Sequence, residues 1–124
     1  MRTRKEYIKE HRKMWRWLTE TGKYREDYFK EEMPDVEVKD DCWACEYASE
    51  VSEFHNDLPP CKTCLFIWNK EQCDEDGAYF DKWAFASTKK TMKKYAKIIA
   101  ELPVRRLSKE IKETLKKNGA EHLM

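Results

Sequence analysis

Cys42-Trp43-Ala44-Cys45-Glu46-Tyr47-Ala48 and, after fifteen intervening residues, Cys61-Lys62-Thr63-Cys64-Leu65 are the stretches that decide how this chain is read. Two residues between cysteines let a tight turn aim both sulfurs at one point. Two such turns can supply four thiolates at about 2.3 Å around one tetrahedral ion, which is the spacing of a four-cysteine zinc site. Four thiolates fill the coordination shell and leave no position for water or substrate. The expected metal ligands are therefore Cys42, Cys45, Cys61 and Cys64, and the expected cofactor is a structural Zn2+. The competing reading is two ordinary CxxC thiol pairs, but neither pair follows a strand and opens a long helix as a redox motif would. The fifth cysteine, Cys73, is either a spare buried thiol or a substitute ligand. His55, between the pairs, is a further substitute, although a loop histidine is more often solvated.

Outward from this centre the chain reads as helical. In residues 2–19, Tyr7, Ile8, His11, Met14, Trp15 and Leu18 recur at three-to-four spacing, which predicts an amphipathic helix ending before Gly22. Residues 24–33 predict a short second helix with Tyr24, Tyr28 and Phe29 turned inward, closed by Pro34. Residues 34–41 predict an acidic extended connector, residues 46–54 one or two helical turns, and residues 56–60 a turn. Residues 69–77 predict a polar loop carrying Cys73. Ser87 or Thr88 predicts an N-cap for a helix running to Leu102, with Met92, Tyr95, Ala96, Ile99 and Leu102 as its stripe. Beyond Pro103, the residues Val104, Leu107, Ile111 and Leu115 predict a last helix stopped by Asn118-Gly119. The expected fold is mostly α: one domain over residues 1–124, with terminal helices packed around a zinc-binding loop region at 42–73.

The chain has 124 residues, of which 40% are charged and 13% aromatic. The aromatic share argues against disorder. Net charge is +1, but the signs are segregated. Residues 1–25 hold nine Lys and Arg against three acids, a net of +6; residues 26–81 come to −13 and residues 82–124 to +8. The longest apolar run, from Cys64 to Trp68, is far short of the roughly 20 residues that span a bilayer. No secretory signal is recognisable at the N-terminus, so a cytoplasmic location is expected, where CxxC pairs favour metal over disulfides.

Enzyme motifs are missing. Pro60-Cys61-Lys62-Thr63-Cys64 matches half of the zinc deaminase signature, but no upstream His-x-Glu or Cys-x-Glu supplies the acid/base. There is no HExxH, P-loop, GxGxxG or GxSxG. Asp74, Glu75 and Asp76 read as a solvated loop. Two binding classes are left. Protein binding is favoured by the acidic middle and by Trp17, Trp43, Trp68 and Trp83, which serve either as interface anchors or as core. Nucleic-acid binding is favoured by Lys89, Lys90, Lys93, Lys94 and Lys97 and by the basic residues from Arg105 to Lys117, which could neutralise phosphates or form a wet helix face.

The chain resembles a group of small bacteriophage and prophage cysteine-cluster proteins. The resemblance rests on the opening helix with His11-Arg12-Lys13-Met14-Trp15-Arg16-Trp17, on the CxxCEYA stretch at Cys42 and on Cys61-Lys62-Thr63-Cys64 with Trp68. It continues through Cys73, Tyr79-Phe80-Asp81-Lys82-Trp83 and Ile98-Ile99-Ala100-Glu101-Leu102-Pro103. Where that group often has Pro after the second pair, this chain has Leu65. The resemblance implies an origin in a mobile element and a non-enzymatic task. The expected task is to bind, and inhibit, a host protein such as an immune effector or a transcription component. The alternative is a nucleic-acid-binding regulator.

Overall fold

A computed structural model describes residues 2–36, 42–54 and 64–124. Among them it contains six α-helices: α1 (Arg4–Thr21), α2 (Arg25–Glu32), α3 (Trp43–Phe54), α4 (Tyr79–Ala84), α5 (Lys89–Ala100) and α6 (Lys109–Lys117), followed by a 3-10 turn at Glu121–Leu123. The mostly α expectation holds.

The opening helix starts where a capping box allows it. The Thr3 hydroxyl accepts from the Glu6 N–H at 3.2 Å, while the Glu6 carboxylate accepts from the Thr3 N–H, so two orphan donors are satisfied. It ends at Gly22, whose φ of 68° is left-handed and whose N–H reaches the Leu18 carbonyl at 2.9 Å. Its expected face is the one buried: Tyr7, His11, Met14, Trp15 and Leu18.

That face lies along α5 and also meets α2 and α3, while α4 packs on α5. A single core results, and its centre is aromatic. Trp15 and Trp83 meet edge-on at 4.8 Å between ring centres, Tyr7 and Tyr47 at 5.6 Å, and His11 stacks on Phe66 at 4.0 Å. The Tyr47 hydroxyl donates to the Leu123 carbonyl at 2.5 Å, tying the C-terminal turn to α3.

Several boundaries differ from expectation for definite reasons. α3 begins at Trp43, ahead of the expected start, so Cys45 sits in a helical first turn. Tyr24 is the N-cap of α2 and half exposed, not inward. The helix α4 was not expected. Residues 104–107 do not begin the last helix, because Val104 pairs with Phe66 in an antiparallel bridge. The Ile67 N–H donates to the Pro103 carbonyl at 2.9 Å, and the Arg105 N–H to that of Leu65 at 2.7 Å. α6 starts after Ser108, whose hydroxyl caps the Ile111 N–H. The expected turn at 56–60 and most of the connector expected at 34–41 lie outside the described residues.

Candidate metal centre

Cys42 immediately precedes α3 and Cys45 lies in its first turn. A helix N-terminus concentrates unsatisfied N–H groups and positive potential, which favours a thiolate. The Cys42 sulfur accepts hydrogen bonds from the Cys45 thiol and from the backbone N–H of Cys45 and Ala44, and it feels the Arg25 guanidinium. Against the cost of burial, these pull its pKa down to about 7.

Cys45 stands between two other sulfurs. It donates to both Cys42 and Cys73, and this, with burial, pushes its own pKa up. Cys73 is shifted down, chiefly by the bond from Cys45. Burial raises the Cys64 pKa, partly offset by the Phe66 N–H and the Trp68 indole; Cys64 also feels the charges of Cys42 and Cys73. The Trp68 indole nitrogen is buried without a hydrogen bond of normal length, so we read its approach to Cys64 as an N–H that lies near the sulfur without closing on it.

The loop that carries Cys73 is tied at its ends. Asn69 donates to the Gly77 carbonyl at 3.0 Å and accepts from the Tyr79 N–H at 3.0 Å; the Gly77 N–H reaches Asp81 at 3.2 Å. Between this loop and α3 lies a cavity of about 190 Å³ lined by Cys42, Cys45 and Cys73. Trp15, Trp68 and Phe80 form its apolar wall, and Arg25 and Asp74 bring the charges. The thiols here are bonded to one another. Among the described residues no group of three or more His, Cys, Asp or Glu side chains stands as a formed metal shell.

Of the four expected ligands, Cys42 and Cys45 are in direct contact and Cys64 is close enough to sense Cys42. Cys61 and His55 lie outside the described residues. Cys73, left open by the spacing, is brought in by the fold. The one sequence signal for it was its being the fifth cysteine, nine positions past Cys64.

Two further features surround this centre. Trp68 also lines an open groove of about 390 Å³ with Ile67, Tyr79, Ile98, Leu102 and Pro103. On another part of the molecule Arg4, Arg106 and Lys112 line a basic depression of about 440 Å³. Trp43 and Trp83 are core residues, so they are not available as interface anchors, whereas Trp17 and Trp68 are half-buried. No helix among the described residues is long and apolar enough to cross a membrane. The chain matches no protein-family model, no characterised protein and no solved structure.

Proposed function

We propose that this chain is a non-enzymatic helical module, stapled by a zinc ion on cysteine thiolates, that binds a partner protein through the groove beside the cysteines. The observation that carries this reading is Trp68, which lines both the cysteine cavity and the apolar groove. Metal on the thiolates would hold Trp68 in place, and Trp68 would shape the groove.

The groove also has a charge preference. Asn69 and Tyr79 line it, and the loop between them exposes Glu71, Asp74, Glu75 and Asp76; Glu101 lines the groove directly. The fitting partner is a basic protein segment that inserts an apolar side chain beside Ile67, which is 49% exposed. A host protein of a mobile element fits the resemblance noted above, and its inhibition would follow from occupying that segment.

The test is capture from bacterial lysate with nuclease present, using the parent and Ile67→Asp. A single dominant protein kept by the parent and lost by the variant supports the proposal. Capture that disappears with nuclease, or that the variant retains, overturns it.

A second reading has its own observation. Lys89, Lys90, Lys94 and Lys97 are all exposed on α5. Such a row suits a phosphate backbone, and binding through it would fall steeply with salt.

A further inference from the structure

We infer that Cys73 is a metal ligand, completing with Cys42, Cys45 and Cys64 a four-thiolate zinc site that leaves Cys61 outside it. This rests on the zinc reading above and changes which sulfurs hold the ion.

The first argument is convergence. A tetrahedral site needs sulfurs from separate segments directed at a common point. Cys42 and Cys45 come from the start of α3 and Cys73 from the loop after Trp68, yet all three line one cavity of about 190 Å³. Cys45 bonds to the other two, so it is the middle member of a contiguous set. Cys64 has electrostatic contact with Cys42 and Cys73, the outer members. Four thiolates close the shell, and a fifth has no vertex to occupy.

The surroundings fit an anionic cluster. Four thiolates around Zn2+ carry a net charge of −2, which must be offset by donors and cations in the next layer. The N–H groups of Ala44, Cys45 and Phe66 already point at Cys42 or Cys64, and Arg25 lines the cavity. The Trp68 indole N–H is buried without an acceptor beside Cys64, and a metal-bound thiolate is the acceptor it lacks. Loading exchanges thiol protons for the metal, and those protons leave to solvent.

Rigidity is the remaining requirement. The 69–78 loop is closed by Asn69 and Gly77 through the three hydrogen bonds described above, so Cys73 is presented by a tied turn. Ordering of that loop is then part of what the zinc staple achieves.

The test uses the full chain and its Cys61→Ser and Cys73→Ser variants, loaded with zinc alone or with Co2+ as a spectroscopic substitute. Metal content, zinc affinity by chelator competition and the intensity of the sulfur-to-cobalt charge-transfer band are read. The expected result is that Cys61→Ser keeps one metal and the full band. Cys73→Ser should bind zinc at least about tenfold more weakly, since even outer-layer partners of a metal are worth that much. If Cys73→Ser does not fold, the Cys61→Ser band decides alone. Loss of about a quarter of that band, one thiolate in four, overturns the inference while leaving the zinc reading intact. A parent that takes up neither metal overturns both.

Discussion

Single residues carry unusual loads in this small core. His11 is fully buried, stacked on Phe66, with Nε2 3.2 Å from the Ile99 carbonyl. Nε2 must then hold the proton and donate, which leaves Nδ1 as a buried acceptor without a partner. Burial, and to a lesser degree the Arg12 charge, lower its pKa from 6.5 to about 3, although the Ile99 bond opposes this. The unfolded chain therefore takes up a proton between those values that the folded chain refuses. Stability from this group is full above pH 6.5 and is lost as pH falls toward 3, by at most about 1.4 kcal/mol per pH unit. Denaturant melts at pH 6.5 and 5.0 should show a smaller difference for His11→Gln than for the parent; equal differences would remove His11 as the cause. Gly22 is a second such residue. Its φ is 68°, and a Cβ there would meet Lys93 Cε at 3.2 Å. Gly22→Ala should cost about 1–2 kcal/mol through the left-handed backbone, measurable as a lowered Tm with unchanged helical content.

At the scale of elements, caps and stripes explain the long helices and packing explains the short ones. Thr88 caps α5 by accepting from the Thr91 N–H at 3.2 Å, as its sequence position suggested. Met92, Ala96 and Ile99 of that stripe are buried, and Lys90, Lys94 and Lys97 are on its exposed side. Reversing those three lysines to Glu should thus spare the fold. If the partner is a basic protein segment held at the groove, the triple variant still captures it at moderate salt. If the lysine row binds phosphates instead, the triple variant loses all binding and the parent shows a steep salt slope. The six-residue α4 has no side-chain cap at Ala78 and is too short to be stable alone. It exists because Trp83 inserts against Trp15 and because the element lies on α5. No window of sequence six residues long announces that.

For the whole molecule, the balance is between a compact aromatic core and a chain that is two-fifths charged. Trp15 is the hub. It is 1% exposed, meets Trp83, Phe80 and His11, and lines the cysteine cavity. Trp15→Ala should cost about 3–5 kcal/mol, the range for deleting a large core side chain. It should also weaken zinc binding, a double effect that calorimetry and metal titration would separate. Chelation of the metal should destabilise the segment from Cys42 to Cys73 more than the pairing of α1 with α5, because the second is built from side-chain burial alone. Hydrogen exchange with and without chelator reads this directly: uniform loss of protection, or none at all, would argue against a local staple.

Local sequence was enough for whatever depends on near neighbours. The buried face of α1, the stop at Gly22, the cap at Thr88 and the closeness of Cys42 to Cys45 all follow from spacing within a few residues. Turn chemistry and three-to-four periodicity act over that range. The tertiary structure decided what depends on distant partners. Val104 is extended because Phe66 pairs with it, Trp43 and Trp83 are core because three helices close over them, and Cys73 meets Cys45 because the 69–78 loop folds back onto the start of α3. Each of these arrangements is stabilised by burial or pairing between residues far apart in the chain. Such terms have no signature in the local pattern, and they appear only once the segments are brought together.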